Sequence, residues 1–227
     1  MQQFILPLFV EYTYHPDEFI VTPSNAEVYG FVTENLEKWR GVRPYEFSCL
    51  IAGPTSSGKT YLVKIWQNTH NAYLIPKNSS NINQNILDGY PAFILEDIDK
   101  NWHEETLLHH FNIINEQKKY LLLTSSNLSN NFCLKDLSSR IRSLFNINLN
   151  PPDDELIKTL LFKHFATNSL KVENQVIEFL LKNLPRQFHD IINAAKKIND
   201  FALMHKRNIT IPLVKEAINI DLNQKSY

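Results

Sequence analysis

One stretch constrains this chain more than any other: Gly53-Pro54-Thr55-Ser56-Ser57-Gly58-Lys59-Thr60 matches the Gly-x4-Gly-Lys-Ser/Thr phosphate loop. It lies between an apolar run at 47–52, of strand length, and a helical pattern at 61–68. That is where the chemistry needs it. Small residues let successive backbone N–H groups converge on phosphate oxygens, Lys59 adds a point charge toward the outer phosphates, and the Thr60 hydroxyl is a Mg2+ ligand. The chain has only 5 glycines, so two at this spacing in a strand-to-helix turn mark a backbone requirement.

A strand, phosphate loop and helix imply a parallel sheet, and the sequence supplies further strands for one. Short apolar runs recur at 72–75, 92–95, 120–123 and 144–149, and their unbroken character implies burial on both faces. A helical pattern through Leu107, Leu108, Phe111 and Ile114 follows the third run. Alternating strands and helices predict an α/β fold with a five-stranded parallel sheet and right-handed crossovers. Ser24 with Glu27 forms a capping box, and Val28, Val32, Leu36 and Trp39 predict one helix from there to Gly41. The polar stretch 77–85 reads as a surface connection.

At Pro151-Pro152 the character changes to helix alone, with segments expected at 153–165, 176–184, 185–205 and 210–220. The expected organisation is an arm at 1–23, an α/β domain at 24–150 and a small all-α lid at 151–227. The arm carries three prolines and no clean period, so docking must order it. With 227 residues there is ample length for a core. Lys plus Arg number 23 against 24 Asp plus Glu, a net charge of -1, so charge alone does not advertise nucleic-acid binding. Cys49 and Cys133 are too few for a disulfide framework, which points to a reducing cytoplasm. The apolar start lacks a basic leader and is broken by Pro7 and Glu11, so neither a signal peptide nor a membrane span is expected.

Three more segments carry chemistry. Phe93-Ile94-Leu95-Glu96-Asp97 is an apolar strand ending in two carboxylates, the Walker B arrangement that holds Mg2+ and polarises an attacking water. Leu121-Leu122-Leu123-Thr124-Ser125-Ser126-Asn127 ends a strand in small polar side chains able to reach an outer phosphate. Arg140 precedes the last strand and Arg186 opens a lid helix; on spacing alone either is equally an ordinary surface arginine. His103, His109 and His110 lack zinc spacing and read as surface or packing. Lys196-Lys197 and Lys206-Arg207 read as solvated charge.

This order of elements resembles the AAA+ ATPases, and within them the DnaA/Hda group of bacterial replication proteins, over nearly the whole chain. The resemblance implies ADP or ATP with Mg2+ as cofactors. It matches Arg140 to the arginine finger that reaches a neighbouring subunit's nucleotide, and Arg186 to the sensor 2 arginine of the lid. It matches Ser126 and Asn127 to sensor 1, and Phe19-Ile20-Val21-Thr22-Pro23-Ser24-Asn25 to the adenine-side box, with Phe19, Ile20, Asn25 and Tyr61 on the base side.

Two features resemble the Hda branch of that group. The sequence ends after the lid, without residues for an independent DNA-binding domain, and Gln3-Phe4-Ile5-Leu6-Pro7-Leu8 is similar to its sliding-clamp motif. The ending Thr210-Ile211-Pro212-Leu213-Val214-Lys215-Glu216 is also similar. The resemblance then implies a regulator of replication initiation that docks on the sliding clamp, the beta subunit of DNA polymerase III. There it would stimulate hydrolysis of DnaA-bound ATP, as a homodimer or higher oligomer. Two departures bear on self-hydrolysis: Glu96 stands where the family has Asp, and Ser126-Asn127 where DnaA commonly has an acid. The rival readings are a helicase-loader-like motor with strong ATPase of its own and a tethering module that hydrolyses nothing.

Overall fold

The computed structural model describes residues 14–127, 132–167 and 172–222, so the segment 3–8 lies outside it. Five parallel strands, β1 (Ser48–Ala52), β2 (Ala72–Leu74), β3 (Ala92–Leu95), β4 (Tyr120–Ser125) and β5 (Phe145–Asn148), form one sheet in the order β2-β3-β4-β1-β5. In the register, Ala52 at the end of β1 lies opposite Ser125 of β4 and Asn148 of β5. The phosphate loop therefore leaves the sheet with a strand on either side.

Every β1 side chain is buried, and alternate ones serve opposite layers. Cys49 and Ile51 join a cluster with Phe31 of α1 (Ala26–Thr33) and Leu62 and Trp66 of α2 (Lys59–His70). Leu50 joins the other layer, with Leu87 of α3 (Gln84–Gly89), Phe111 of α4 (Glu104–Glu116) and Leu137 of α5 (Lys135–Arg142). Burial pushes the Cys49 thiol pKa far up, so it packs as a small apolar side chain.

Three expectations need correction. The first helix starts after Asn25, not Ser24, and stops at Thr33 rather than running to Gly41. The Thr33 hydroxyl donates back to Tyr29 O at 2.9 Å, and Asn35 Oδ1 accepts from Glu37 N at 3.3 Å to open a separate 3-10 turn, Leu36–Lys38. Trp39 still reaches the core, 4.9 Å from Phe31 between ring centroids. Polar 77–85 is not all connection, because Asn83 Oδ1 accepts from Ile86 N at 2.9 Å and caps α3. The helix around Arg140, α5, was not expected, although Leu137 and Ile141 stand four apart and both enter the core.

The remaining helices are α6 (Asp154–Thr167), α7 (Asn174–Asn183), α8 (Phe188–His205) and α9 (Ile211–Leu222), which share a cluster of their own around Phe165, Leu180, Ile198 and Leu213. The α8 helix begins at Phe188, not Pro185. Proline drives its predecessor out of the helical region, and Leu184 sits at ψ 144 with Gln187 still extended at ψ 132. Asp153 caps α6, accepting from Leu156 N at 2.7 Å, and its other oxygen accepts from Ser24 N at 3.1 Å. Among the described residues no helix is long and apolar enough to cross a membrane.

Candidate functional site

The loop is shaped by contacts that only its residues permit. A Cβ on Gly53 would lie 2.6 Å from Leu149 Cβ, so this position admits no side chain. Gly53 N donates to Ser125 O at 3.1 Å, which carries the sheet's bonding into the loop. Ser56 and Gly58 then take left-handed φ of 63 and 92, and Pro54, Thr55 and Ser56 face solvent. Ser57 is buried, and its Oγ has no hydrogen-bond partner. A buried hydroxyl left unpaired inside this loop fits a donor to a phosphate oxygen.

Lys59, also buried, donates Nζ to Gly53 O at 2.7 Å and Pro54 O at 2.8 Å, holding the loop's own carbonyls. Burial lowers its pKa, against the opposing pull of Asp97, Asp99 and Glu96. Thr60 Oγ1 donates to Glu96 Oε1 at 2.5 Å. The longer Glu96 side chain thus still meets the Thr60 hydroxyl, and this oxygen pair suits a hard cation such as Mg2+.

Asp97 follows at φ 49, its N–H donating to Thr124 Oγ1 at 2.8 Å and its carboxylate 3.6 Å from Lys100 Nζ. Ser126 N and Oγ both donate to the carboxylate of Asp99. Burial works to raise the Asp99 pKa, but these hydrogen bonds prevail and hold it below the ordinary carboxylate value. Ser125 Oγ donates to Asn127 O at 2.7 Å and accepts from Asn127 N at 3.2 Å, fixing the strand's polar end.

On the base side, the Phe19 ring lies 3.5 Å from where a Gly58 Cβ would stand, stacks on Tyr29 at 5.5 Å and meets Tyr61 at 5.4 Å. Asn25 is buried and spends its amide on its own segment, accepting from Thr22 N at 2.9 Å and donating to Ile20 O at 2.9 Å. It clips the box into shape. Asn25→Ala is therefore expected to lower unfolding free energy by about 1–3 kcal/mol, measured by urea denaturation; an unchanged midpoint would remove this role.

The arginines sit apart from the loop's immediate contacts. Arg140 is drawn against its own domain, NH1 donating to Tyr45 OH at 2.9 Å and NH2 to Asp136 Oδ2 at 3.0 Å, with Nε buried and unpartnered. Arg186 pairs with Asp154 at 3.0 Å, both side chains being more than half exposed. Sequence reasoning missed Asp99 and Tyr45. Asp99 was within reach, since parallel pairing sets Leu95 opposite Leu123 and so brings the residues after β3 abreast of those ending β4.

A phosphate loop leaving the middle strands of a sheet ordered β2-β3-β4-β1-β5, with an acid-ended β3, a polar-ended β4 and helices beyond β5, is the AAA+ fold. Residues 153–218 match the family model of the Hda lid domain. The chain is 25% identical over 224 residues to the chromosomal replication initiator protein DnaA of Treponema denticola, covering 86% of this chain and 46% of that protein. Domain III of Thermotoga maritima DnaA superposes with a TM-score of 0.68 at 17% identity, covering 91% of this chain and 95% of that one. AMPPCP-bound DnaA from Aquifex aeolicus gives 0.63 at 20% identity, covering 84% and 66%. The chain spans less than half the length of the DnaA proteins it matches at the sequence level. The match of 153–218 to the Hda lid and the likeness to DnaA support an AAA+ protein of the DnaA/Hda family.

Proposed function

We propose that this protein is a nucleotide-bound regulator of replication initiation that docks on the DNA sliding clamp and stimulates hydrolysis of ATP on DnaA. The match of 153–218 to the Hda lid, on a chain with an intact phosphate loop, carries the reading. Loop amides and Ser57 receive the phosphates, Lys59 exchanges its two carbonyl partners for phosphate oxygens, and Arg186 closes the lid side. A bound Mg2+ would neutralise charge on the outer phosphates. Thr60 and Glu96 are the residues to hold it, with Asp97 beside them. Bound in this way, ADP or ATP acts as a conformational ligand, biasing the angle of the lid.

The finger works on a partner. Arg140 is presented to the nucleotide of ATP-bound DnaA and stabilises the charge that develops in phosphoryl transfer. Docking uses the segment from Gln3 to Leu8: an extended peptide with a polar anchor and apolar side chains that fill a preformed groove. The domain division proposed with it is 1–23, 24–150 and 151–227, and two arms of a dimer on one ring gain avidity.

The test is the affinity of the full chain for the beta clamp, beside a variant carrying Leu6→Ala and Leu8→Ala. Micromolar binding or tighter is expected, weakened about tenfold or more by the pair. No binding by either version would make the segment mere packing and sink the clamp-docking reading.

A further inference from the structure

β2 is the first strand of the sheet and pairs only with β3, so its outer edge is bonded to no strand among the described residues. Ile75 N donates inward to Ile94 O at 3.1 Å, and in a parallel ladder the backbone groups of successive residues point to opposite sides. The N–H and C=O of Leu74 therefore face outward, a half-made ladder that can template another strand. Beside this edge lies an open groove of about 720 Å³. Its two sides differ. Leu74 packs in the α2 layer, where Lys64 enters the groove, whereas Tyr73 packs in the other layer with its ring 5.1 Å from that of Tyr90.

Tyr14, the first described residue, lines the same groove, and its ring meets Tyr61 edge-on at 5.1 Å. Tyr61 lies near the start of α2, at the end of the sheet where β2 finishes, so a segment running into Tyr14 from the groove runs parallel to β2. Thirteen residues precede Tyr14 in the sequence. Five of them, extended, cover about 17 Å, more than the 3 residues of β2 require. The chemistry is complementary. Glu11 is the one charged side chain among residues 1–13, and Lys64 is the one charged side chain lining the groove, its Nζ bonded to Gln67 Oε1 at 2.9 Å and to no carboxylate among the described residues.

We propose that the free edge of β2 is a binding surface for the chain's own N-terminal segment, residues 9–13 adding a sixth, parallel strand. With Glu11 beside Leu74, alternation sets Phe9, Glu11 and Thr13 on the Lys64 side, and Val10 and Tyr12 against Tyr73 and Tyr90. Leu74 N–H then donates to Val10 O, and Tyr12 N–H donates to Leu74 O. A slip of one residue would put the acid on the aromatic side and lose both matches. The segment 3–8 then leaves the body at the β2 edge; that consequence alone rests on the clamp reading, and the docking does not.

The experiment is amide hydrogen exchange on the full chain, read residue by residue by NMR. The Leu74 amide is expected to exchange about 10^2-fold more slowly than in an unfolded chain, equally so at two protein concentrations about tenfold apart. An unprotected Leu74 amide overturns the proposal and leaves the edge to a foreign strand. Protection that grows with concentration overturns it in favour of a second copy's segment. Glu11→Lys and Lys64→Glu should each lower the protection about fivefold, the scale of a partly exposed ion pair, and the two together should restore it. Single variants without effect, or a pair without rescue, overturn it. Should a charge variant fail to fold, seen as lost protection of buried Leu50, Tyr12→Pro decides, because it removes a donor from the added ladder. Exposure of Leu74 with Leu50 still protected supports the proposal, and a Leu74 amide as protected as in wild type overturns it.

Discussion

Arg140→Ala is expected to cut stimulation of DnaA-bound ATP hydrolysis by about 10^3-fold or more, the range over which a trans-acting arginine operates in phosphoryl transfer. Binding of nucleotide and of the clamp should be unchanged. In the free protein the guanidinium is not idle, since Asp136 and Tyr45 each take one N–H. The Asp136 carboxylate is more than half exposed, and a solvated pair one helical turn apart contributes only about 0.3–0.5 kcal/mol. A partner's phosphate can displace such a bond at little cost. Tyr45, its ring set edge-on to buried Phe111 at 5.0 Å, holds the fork near the surface while that exchange occurs. Arg140→Lys should rescue little, because a point charge lacks the two-pronged geometry. Single-turnover hydrolysis of ATP preloaded on DnaA, with clamp present, measures this. Wild-type stimulation by Arg140→Ala would favour the tethering reading.

The second large effect is on ligand binding. Lys59→Ala should weaken ADP and AMPPCP alike by about 10^2 to 10^4-fold, since charge-assisted hydrogen bonds are worth about 1.5–3 kcal/mol each and the two that Nζ now makes to carbonyls can pass to the phosphates. Those two bonds are now made to Gly53 O and Pro54 O. The substitution therefore also orphans two loop carbonyls in the ligand-free protein, and melting without nucleotide separates that cost from the loss of affinity. Equal affinity for variant and wild type would exclude the loop as the phosphate site.

How much of this was legible beforehand depends on how local the signal is. The strands were plain because burial on both faces writes unbroken apolar runs, and β3 matches its expected bounds. The loop was plain because phosphate chemistry tolerates few residues. The first helix misled because Leu36 and Trp39 keep helical spacing across a break that only the Thr33 back-bond and the Asn35 cap impose. At the site, Thr60 and Glu96 stand 36 positions apart and meet only through the sheet. Sequence reading put both in the expected metal site but did not foresee their contact. The grip of Asp99 on Ser126 and of Tyr45 on Arg140 is tertiary in origin, and no spacing within one segment encodes either.

Residues 14–25 form a strap with attachments at both ends of the site. Tyr61 OH donates to His15 O at 3.0 Å and Phe19 covers Gly58, so one side is fastened to the phosphate loop and its helix. The other is fastened to the lid, with Ser24 N donating to Asp153 and Lys163 Nζ to Glu18 O. Most of the strap is the part of the 1–23 arm that the structure describes. It is a shared bearing: a shift of Phe19 loads the root of α2 and the root of α6 in the same stroke, without any lever in between.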